Sequence, residues 1–398
     1  MKSIYCVTRR DLLRLSALAG ASGIMAACQP KIVEVTKIVE KQVEKIVKET
    51  VVVVKEPTKA APAQPASIKW SSWAQADELR IFRDIQGLFM QANPNIKVDL
   101  VTIPGDQYND QVLTLAAAGT PMDVMYINPY WISVWASKDL LLDLTAYFEQ
   151  EPKYLDPQKY DQTAFGGGMT IKGKRYATTN GTNVLALAYN KDLFDKAGVG
   201  YPQASWTWQD VLQAAKQLTV MEGDKPAQFG LNNPGSWDPY PSLFIWAFGG
   251  EVWDSYDAPT KCLWDSPQAI EGLTFLQDLV YKYKVCPTAA QAQGLGGGFE
   301  SGKLAMDLPG TWIVPFWRTI DRFKWDLQFV PRSVNGKSVS CFFTAGFMVS
   351  KKTKFPDAAW KLAAFQMEPA AQQLWGNTGL ITVADIALAL VFGAKLGR

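Results

Sequence analysis

Regular alternation of apolar and polar positions begins at Ser67. Ile68-Lys69-Trp70-Ser71-Ser72-Trp73 alternates with period two and predicts a strand; a helix follows over about 77–91, and the turn Asn93-Pro94-Asn95 leads into a second strand at 96–101. Residues 108–118 predict a second helix, stopped by Gly119 ahead of the apolar run that opens at Val124. Residues 184–189 are apolar without a break and bounded by polar turns, the pattern of a strand buried on both faces. Asn190 then stands as N-cap of a short helix, Lys191 to Ala197, that Gly198 ends. Thr207 caps another, whose Trp208, Val211, Leu212 and Ala215 share one face. Strands alternating with helices of this length predict an α/β fold with a mostly parallel sheet, and such sheets bind ligands beyond the carboxyl ends of their strands. Ser72, Trp73, Asp123, Asn128, Tyr130 and Trp131 fall at those ends.

The chain ahead of residue 67 has a different texture. In residues 1–28 a basic stretch, Thr8-Arg9-Arg10-Asp11-Leu12-Leu13-Arg14, precedes an apolar run at 15–27 that is too short to span a bilayer as a helix. The paired arginines resemble a twin-arginine export signal. Met25-Ala26-Ala27-Cys28 resembles a lipoprotein cleavage box, in which the Cys28 thiol takes the diacylglyceryl group; an ordinary secretory signal with an incidental cysteine is the other reading. Residues 29–66, rich in Lys, Glu, Val and Thr and then in Pro and Ala, read as a solvated low-complexity tether, with a coiled stalk as the alternative.

Composition narrows the chemistry. At 398 residues the chain can build two domains with cores of their own. Of 40 basic and 38 acidic residues, four and one lie in the first 28, so the remainder carries 36 against 37 and offers nothing to a nucleic acid. There is no histidine, which excludes a Ser-His-Asp or Cys-His arrangement, a histidine metal cluster and imidazole acid-base work. A carboxylate pair of the glycosidase kind stays open, although no pair stands out by spacing. The glycines at 166–168 and 294–298 are not followed by Lys-Ser/Thr and read as loops rather than phosphate cradles. Cys262, Cys286 and Cys341 remain after the signal; buried thiols are the favoured reading over a Cys262–Cys286 bridge. No cofactor or metal site is expected.

A linear order of motifs carries a family resemblance. Gly119-Thr120-Pro121-Met122-Asp123-Val124 is similar to an A-G-x-x-P-D-V junction with Met122 inserted. Gly173-Lys174-Arg175-Tyr176-Ala177 is similar to a G-K-x-Y-A-x-P hairpin with Thr179 in place of Pro. Tyr189-Asn190-Lys191-Asp192-Leu193-Phe194, then Trp206-Thr207-Trp208-Gln209-Asp210, Phe299-Glu300-Ser301-Gly302-Lys303-Leu304-Ala305-Met306 and Gly310-Thr311-Trp312 complete the series. Over most of 67–375 the chain resembles the carbohydrate-binding group of extracellular solute-binding proteins that serve ABC importers.

The resemblance implies a two-lobed, Venus-flytrap α/β fold of mixed, mostly parallel sheets with helices on both faces. Lobe 1 would span 67–180 and 329–375, and lobe 2 181–328, with hinges near Asn180 to Asn183 and Phe329 to Pro331. It implies a cleft holding Ser72, Trp73, Asp123, Asn128, Tyr130, Trp131, Asn180, Trp237, Tyr240, Trp312 and Thr344. Of the fifteen tryptophans, all at or after Trp70, Trp73, Trp131, Trp237 and Trp312 would meet sugar, while Trp208, Trp264, Trp325 and Trp360 sit inside elements and read as core. Members run on as helices past the position of Trp375, so 376–398 reads as a shortened or shifted end. The implied role is capture of a sugar by a monomer, lipid-anchored on the outer face of the membrane, and delivery to permease subunits without turnover. A surface glycosidase or lyase, an adhesive lipoprotein, and a binding protein for a phosphate ester, polyamine or peptide are the competing readings.

Overall fold

The computed structural model describes residues 65–389 apart from 75, 106, 128, 166–168, 224, 237–238 and 257–258. The expected export segment with Cys28, nearly all of the expected tether, Asn128, Trp237 and the final residues from 390 lie outside the described residues.

Strand β1 (Ala66–Ser72) pairs in parallel with β2 (Ile96–Thr102) over its whole length, with α1 (Ala76–Ala92) as the crossover. Helix α2 (Tyr108–Ala117) leads to β3 (Val124–Ile127), which lies parallel to β1 on its other side and is followed by α3 (Pro129–Ser137). After β4 (Ala177–Val184) the chain leaves this sheet and forms β5 (Leu187–Asn190), α4 (Lys191–Ala197), α5 (Trp208–Leu218), α6 (Pro239–Ala247), α7 (Pro267–Tyr281), β6 (Met306–Asp307) and β7 (Trp325–Gln328). It returns as β8 (Phe342–Val349), α8 (Pro356–Phe365), α9 (Pro369–Thr378) and β9 (Thr382–Val383). The larger sheet has the order β9-β4-β8-β3-β1-β2 and the smaller β6-β5-β7. Within the two sheets, parallel pairing is confined to β2-β1-β3; β8 and β9 pair antiparallel, as do both partners of β5, so the sheets are mixed.

Side-chain alternation explains why the central strands are apolar throughout. Val124, Tyr126, Phe347 and Val349 enter a core with Trp70, Phe82, Trp360 and Trp375, whereas Met125 and Met348, one residue out of phase, enter a second core with Tyr108, Val112 and Trp135. The smaller sheet has its own core, in which Leu187 and Tyr189 meet Phe194, Trp208, Phe244 and Met306. Local signals behave as expected. The Asn190 side chain accepts from Leu193 N at 3.1 Å, Gly198 is left-handed with φ 66°, and Thr207 forms a capping box with Asp210.

Three expectations are revised. The apolar run at 184–189 is not one strand: β4 stops at Val184 and β5 starts at Leu187. Between them Leu185 N donates to the Ser340 hydroxyl at 3.0 Å and Ala186 N to the Pro309 carbonyl at 3.0 Å, because the chain is changing sheets. The return crossing falls later than Phe329, since Val330 and Cys341 still belong to the core of the smaller sheet and Phe342 is the first residue paired with Val184. Gly181, at φ 155°, is required where β9 crosses β4: a Cβ there would come within 2.1 Å of the Thr382 carbonyl oxygen. Cys262, Cys286 and Cys341 are free thiols, and Cys262 is exposed rather than buried.

Candidate functional site

The carboxyl ends of β1 and β3 carry an aromatic platform. Trp73, half-buried just past β1, stacks on Tyr126 with centroids 4.4 Å apart and planes at 29°, and meets the edge of Tyr108 at 5.3 Å. Tyr126 stacks in turn on Phe347 at 4.9 Å, so the Trp73 indole rests on a rigid column rooted in the core. Asn180, fully buried on β4, donates its amide to the Tyr126 hydroxyl at 3.4 Å, and its side-chain carbonyl oxygen has no partner among the described residues. Ser72 is buried, and its hydroxyl oxygen accepts from Ala74 N at 2.9 Å, closing the turn that presents Trp73.

A second aromatic stands where the chain crosses between sheets. Trp312 is half-buried and edge-on to Phe343, with centroids 5.1 Å apart and planes at 87°. Its indole folds back over Gly310, where a Cβ would lie 2.0 Å from the ring. The Gly-x-Trp spacing therefore has a steric reason: only a residue without a side chain lets the ring lie there. Thr311 between them donates its hydroxyl to the Asn183 side chain at 2.7 Å and accepts from Val184 N at 3.3 Å, which ties the Trp312 turn to the end of β4.

Three other predicted residues have their hydrogen bonding taken up by the protein. Asp123 sits at the amino end of β3, not its carboxyl end; its carboxylate accepts from Lys69 N at 2.7 Å and from the Thr353 hydroxyl at 2.5 Å. Tyr240 is buried in the core of the smaller sheet and donates its hydroxyl to the Leu308 carbonyl. Thr344 is buried and donates to the Gly181 carbonyl at 2.8 Å beside the Thr179 hydroxyl at 3.0 Å, a cross-strand link between β8 and β4. Trp131 is half-buried and packs against the core that holds Ile132 and Trp135. Tyr130 lies in the first turn of α3 and its side chain is outside the described residues, as are Asn128 and Trp237.

Two carboxyls were not anticipated. Glu78, in the first turn of α1, is pushed up to about 7 by burial alone. Asp307, on β6, is raised to about 6 by burial against the opposing pull of its bonds from the Asn232 amide at 3.1 Å and Leu308 N at 2.7 Å. An acid in a first helical turn reads as a complement to the helix dipole, so nothing in the pattern marked Glu78 out. Beyond it, Arg80, Ile81 and Asp84 of α1 face Pro315, Phe316 and Thr319, from the turn after Trp312, across a groove of about 530 Å³ that Leu374 and Asn377 of α9 also line.

Comparison with known proteins agrees with this architecture. The profile of bacterial extracellular solute-binding proteins matches residues 73–373, and the chain belongs to that family. A putative binding protein of Brucella abortus (strain 2308) is 23% identical over 288 residues, 71% of this chain and 67% of that one. The mannitol-binding protein of Pseudomonas aeruginosa is 23% identical over 318 residues, 76% of this chain and 68% of its own length. An ABC substrate-binding protein of Listeria monocytogenes, solved with cycloalternan, superposes with a TM-score of 0.73 at 27% identity over 83% of each chain. Maltose-bound MalE3 of T. maritima gives 0.66 at 23% identity over 83% of this chain and 87% of that one. The fold is thus the two-lobed solute-binding one, and the family is one of extracytoplasmic binding proteins rather than enzymes.

Proposed function

We propose that this protein captures a sugar or oligosaccharide between the lobes built on its two sheets and delivers it to the permease of an ABC importer. The observation that carries the reading is the pair of half-buried indoles, Trp73 on its Tyr126 column and Trp312 on the crossover turn beside Phe343. Sugar rings present flat C–H faces that stack on indoles and a rim of hydroxyls that needs polar partners, which Asn180 offers through its unpartnered side-chain oxygen beside the Tyr126 ring that carries Trp73.

Neighbouring folds solved with cycloalternan and maltose, and a relative named for mannitol, support a polyol ligand. Sugar touching both lobes would stabilise a closed form about the two crossings at 185–186 and 341–342, and the permease would recognise that form. Lipid on Cys28 and the tether of 29–66 would hold a monomer at the outer face of the membrane.

A thermal-shift screen of mono- and oligosaccharides, glycerol phosphates and polyamines tests the reading, because a ligand of the native state at a hundredfold its Kd adds about 2.7 kcal/mol of stability. A melting point raised by a sugar is the expected result. A rise with a phosphate ester or polyamine alone would replace the sugar with another solute.

A further inference from the structure

The groove between α1 and the turns after Trp312 is walled by both lobes. On one side Arg80, Ile81 and Asp84 of α1 stand with Leu374 and Asn377 of α9, and Phe82 meets the Trp375 ring edge-on at 5.3 Å, which roots the two helices in the core of the larger sheet. On the other side are Pro315, Phe316 and Thr319, carried by the helical turns Thr311–Ile313 and Val314–Trp317, whose Trp317 enters a core with Ala188 of β5. These turns run on from Trp312 without a break: Ile313 and Arg318 are both right-handed, and Arg318 N donates to the Val314 carbonyl at 3.1 Å. Trp312, Pro315, Phe316 and Thr319, at spacings of three, four and seven, therefore share one face. Helix α1 likewise opens at Ala76, three residues after Trp73, and its rise carries Asp84 about 12 Å further along. Both walls of the groove start at an indole.

The floor is apolar and the rim polar. Ile81 and Leu380 are buried, Phe316 at 43% exposure leaves its ring open to the groove, and Arg80, Asp84, Thr319 and Asn377 are exposed. The Thr319 hydroxyl donates to the Phe316 carbonyl at 2.7 Å, which leaves its oxygen as an acceptor. At about 530 Å³ the groove has the size of a small-molecule site.

We propose that this groove is a further sugar subsite, so that the ligand is an oligosaccharide whose chain runs from the Trp73–Trp312 pair out along α1, with a later unit resting on Phe316. This deepens the sugar-capture reading and rests on it. The floor and the ring suit the C–H faces of a pyranose, and the rim supplies donors from Arg80 and Asn377 and acceptors from Asp84 and Thr319 for its hydroxyls. Arg80 and Asp84 stand four apart on one helix, so a phosphate ester drawn to the cation meets an anion beside it. Because the walls belong to different lobes, each unit in the groove adds contacts that favour the closed form, and longer chains bind more tightly.

Titration calorimetry with malto- and manno-oligosaccharides, from the mono- to the hexasaccharide, reads the subsite. In the wild type, affinity within a series that binds should rise by at least about tenfold from the di- to the tetrasaccharide. F316A should remove most of that rise and leave the disaccharide within about twofold of wild type, whereas W312A should weaken every length. N377A, on the opposite wall, should reduce the same rise, and it carries the test if F316A does not melt cooperatively. Affinity that is flat beyond the disaccharide, a rise that survives in F316A, or a loss by the same factor at every length in F316A overturns the groove subsite and leaves sugar capture standing. Absence of wild-type binding by every member of both series overturns both.

Discussion

Gly310→Ala isolates the seat of Trp312. Gly310 has φ −72° and ψ 146°, a conformation any residue adopts, so the backbone carries no strain on substitution and an alanine there restricts the unfolded chain by about 0.4–1 kcal/mol in favour of folding. The whole penalty comes from the side chain, because the new Cβ would lie 2.0 Å from the indole. Forcing the ring aside, away from its edge contact with Phe343, is an overpacking event of about 1–3 kcal/mol. The net expectation is a loss of about 1–2 kcal/mol in urea unfolding. In a Trp312→Ala background the obstacle is gone, and the same substitution should be neutral or stabilising by about 0.5 kcal/mol. The coupling in the double-mutant cycle is therefore about 2 kcal/mol. Equal effects of G310A in the two backgrounds would refute the seating of the ring on Gly310, and the assay requires no knowledge of the ligand.

Other outcomes follow from single contacts. Gly181→Ala places a Cβ 2.1 Å from the Thr382 carbonyl at a φ of 155° and should cost more than about 3 kcal/mol in urea unfolding, or dislodge β9 and expose its amides to hydrogen exchange. Thr207→Ala removes a capping box at the start of α5 and should lower stability by about 1 kcal/mol. Glu78 is raised from 4.5 in the unfolded chain to about 7 in the folded one, so the folded state binds more protons between those values. Stability of the free protein should therefore fall as pH rises from about 4.5 to 7, by at most about 3 kcal/mol, and E78Q should flatten that slope in pH-dependent melting.

What the chain discloses in advance is local. Asn190 and Thr207 are legible as caps because their bonds reach only three residues along. The phase of Val124, Met125 and Tyr126 is legible as a strand covered on both faces because neighbouring side chains must point apart. Thr344 and Tyr240 look like ligand contacts in sequence because their partners, Gly181 and Leu308, are 163 and 68 residues away. Asp123 is misassigned for a related reason: the motif fixes its place in the series, but only pairing shows that it begins β3 and is held by Lys69 and Thr353. The break at 185–186 is invisible to hydropathy, since Leu185 and Ala186 are as apolar as their neighbours and differ only in bonding to Ser340 and Pro309. Glu78 escapes notice because its burial, which raises its carboxyl, is made by the folded chain and leaves no mark in the local pattern.

Sugar capture by the paired indoles is tested most directly by titration calorimetry of the best sugar from the thermal-shift screen against the wild type and W312A. Removal of Trp312 should leave cooperative melting intact and weaken binding at least tenfold, about 1.4 kcal/mol. Identical isotherms for the two proteins would take Trp312 out of the site and contradict the cleft described around it.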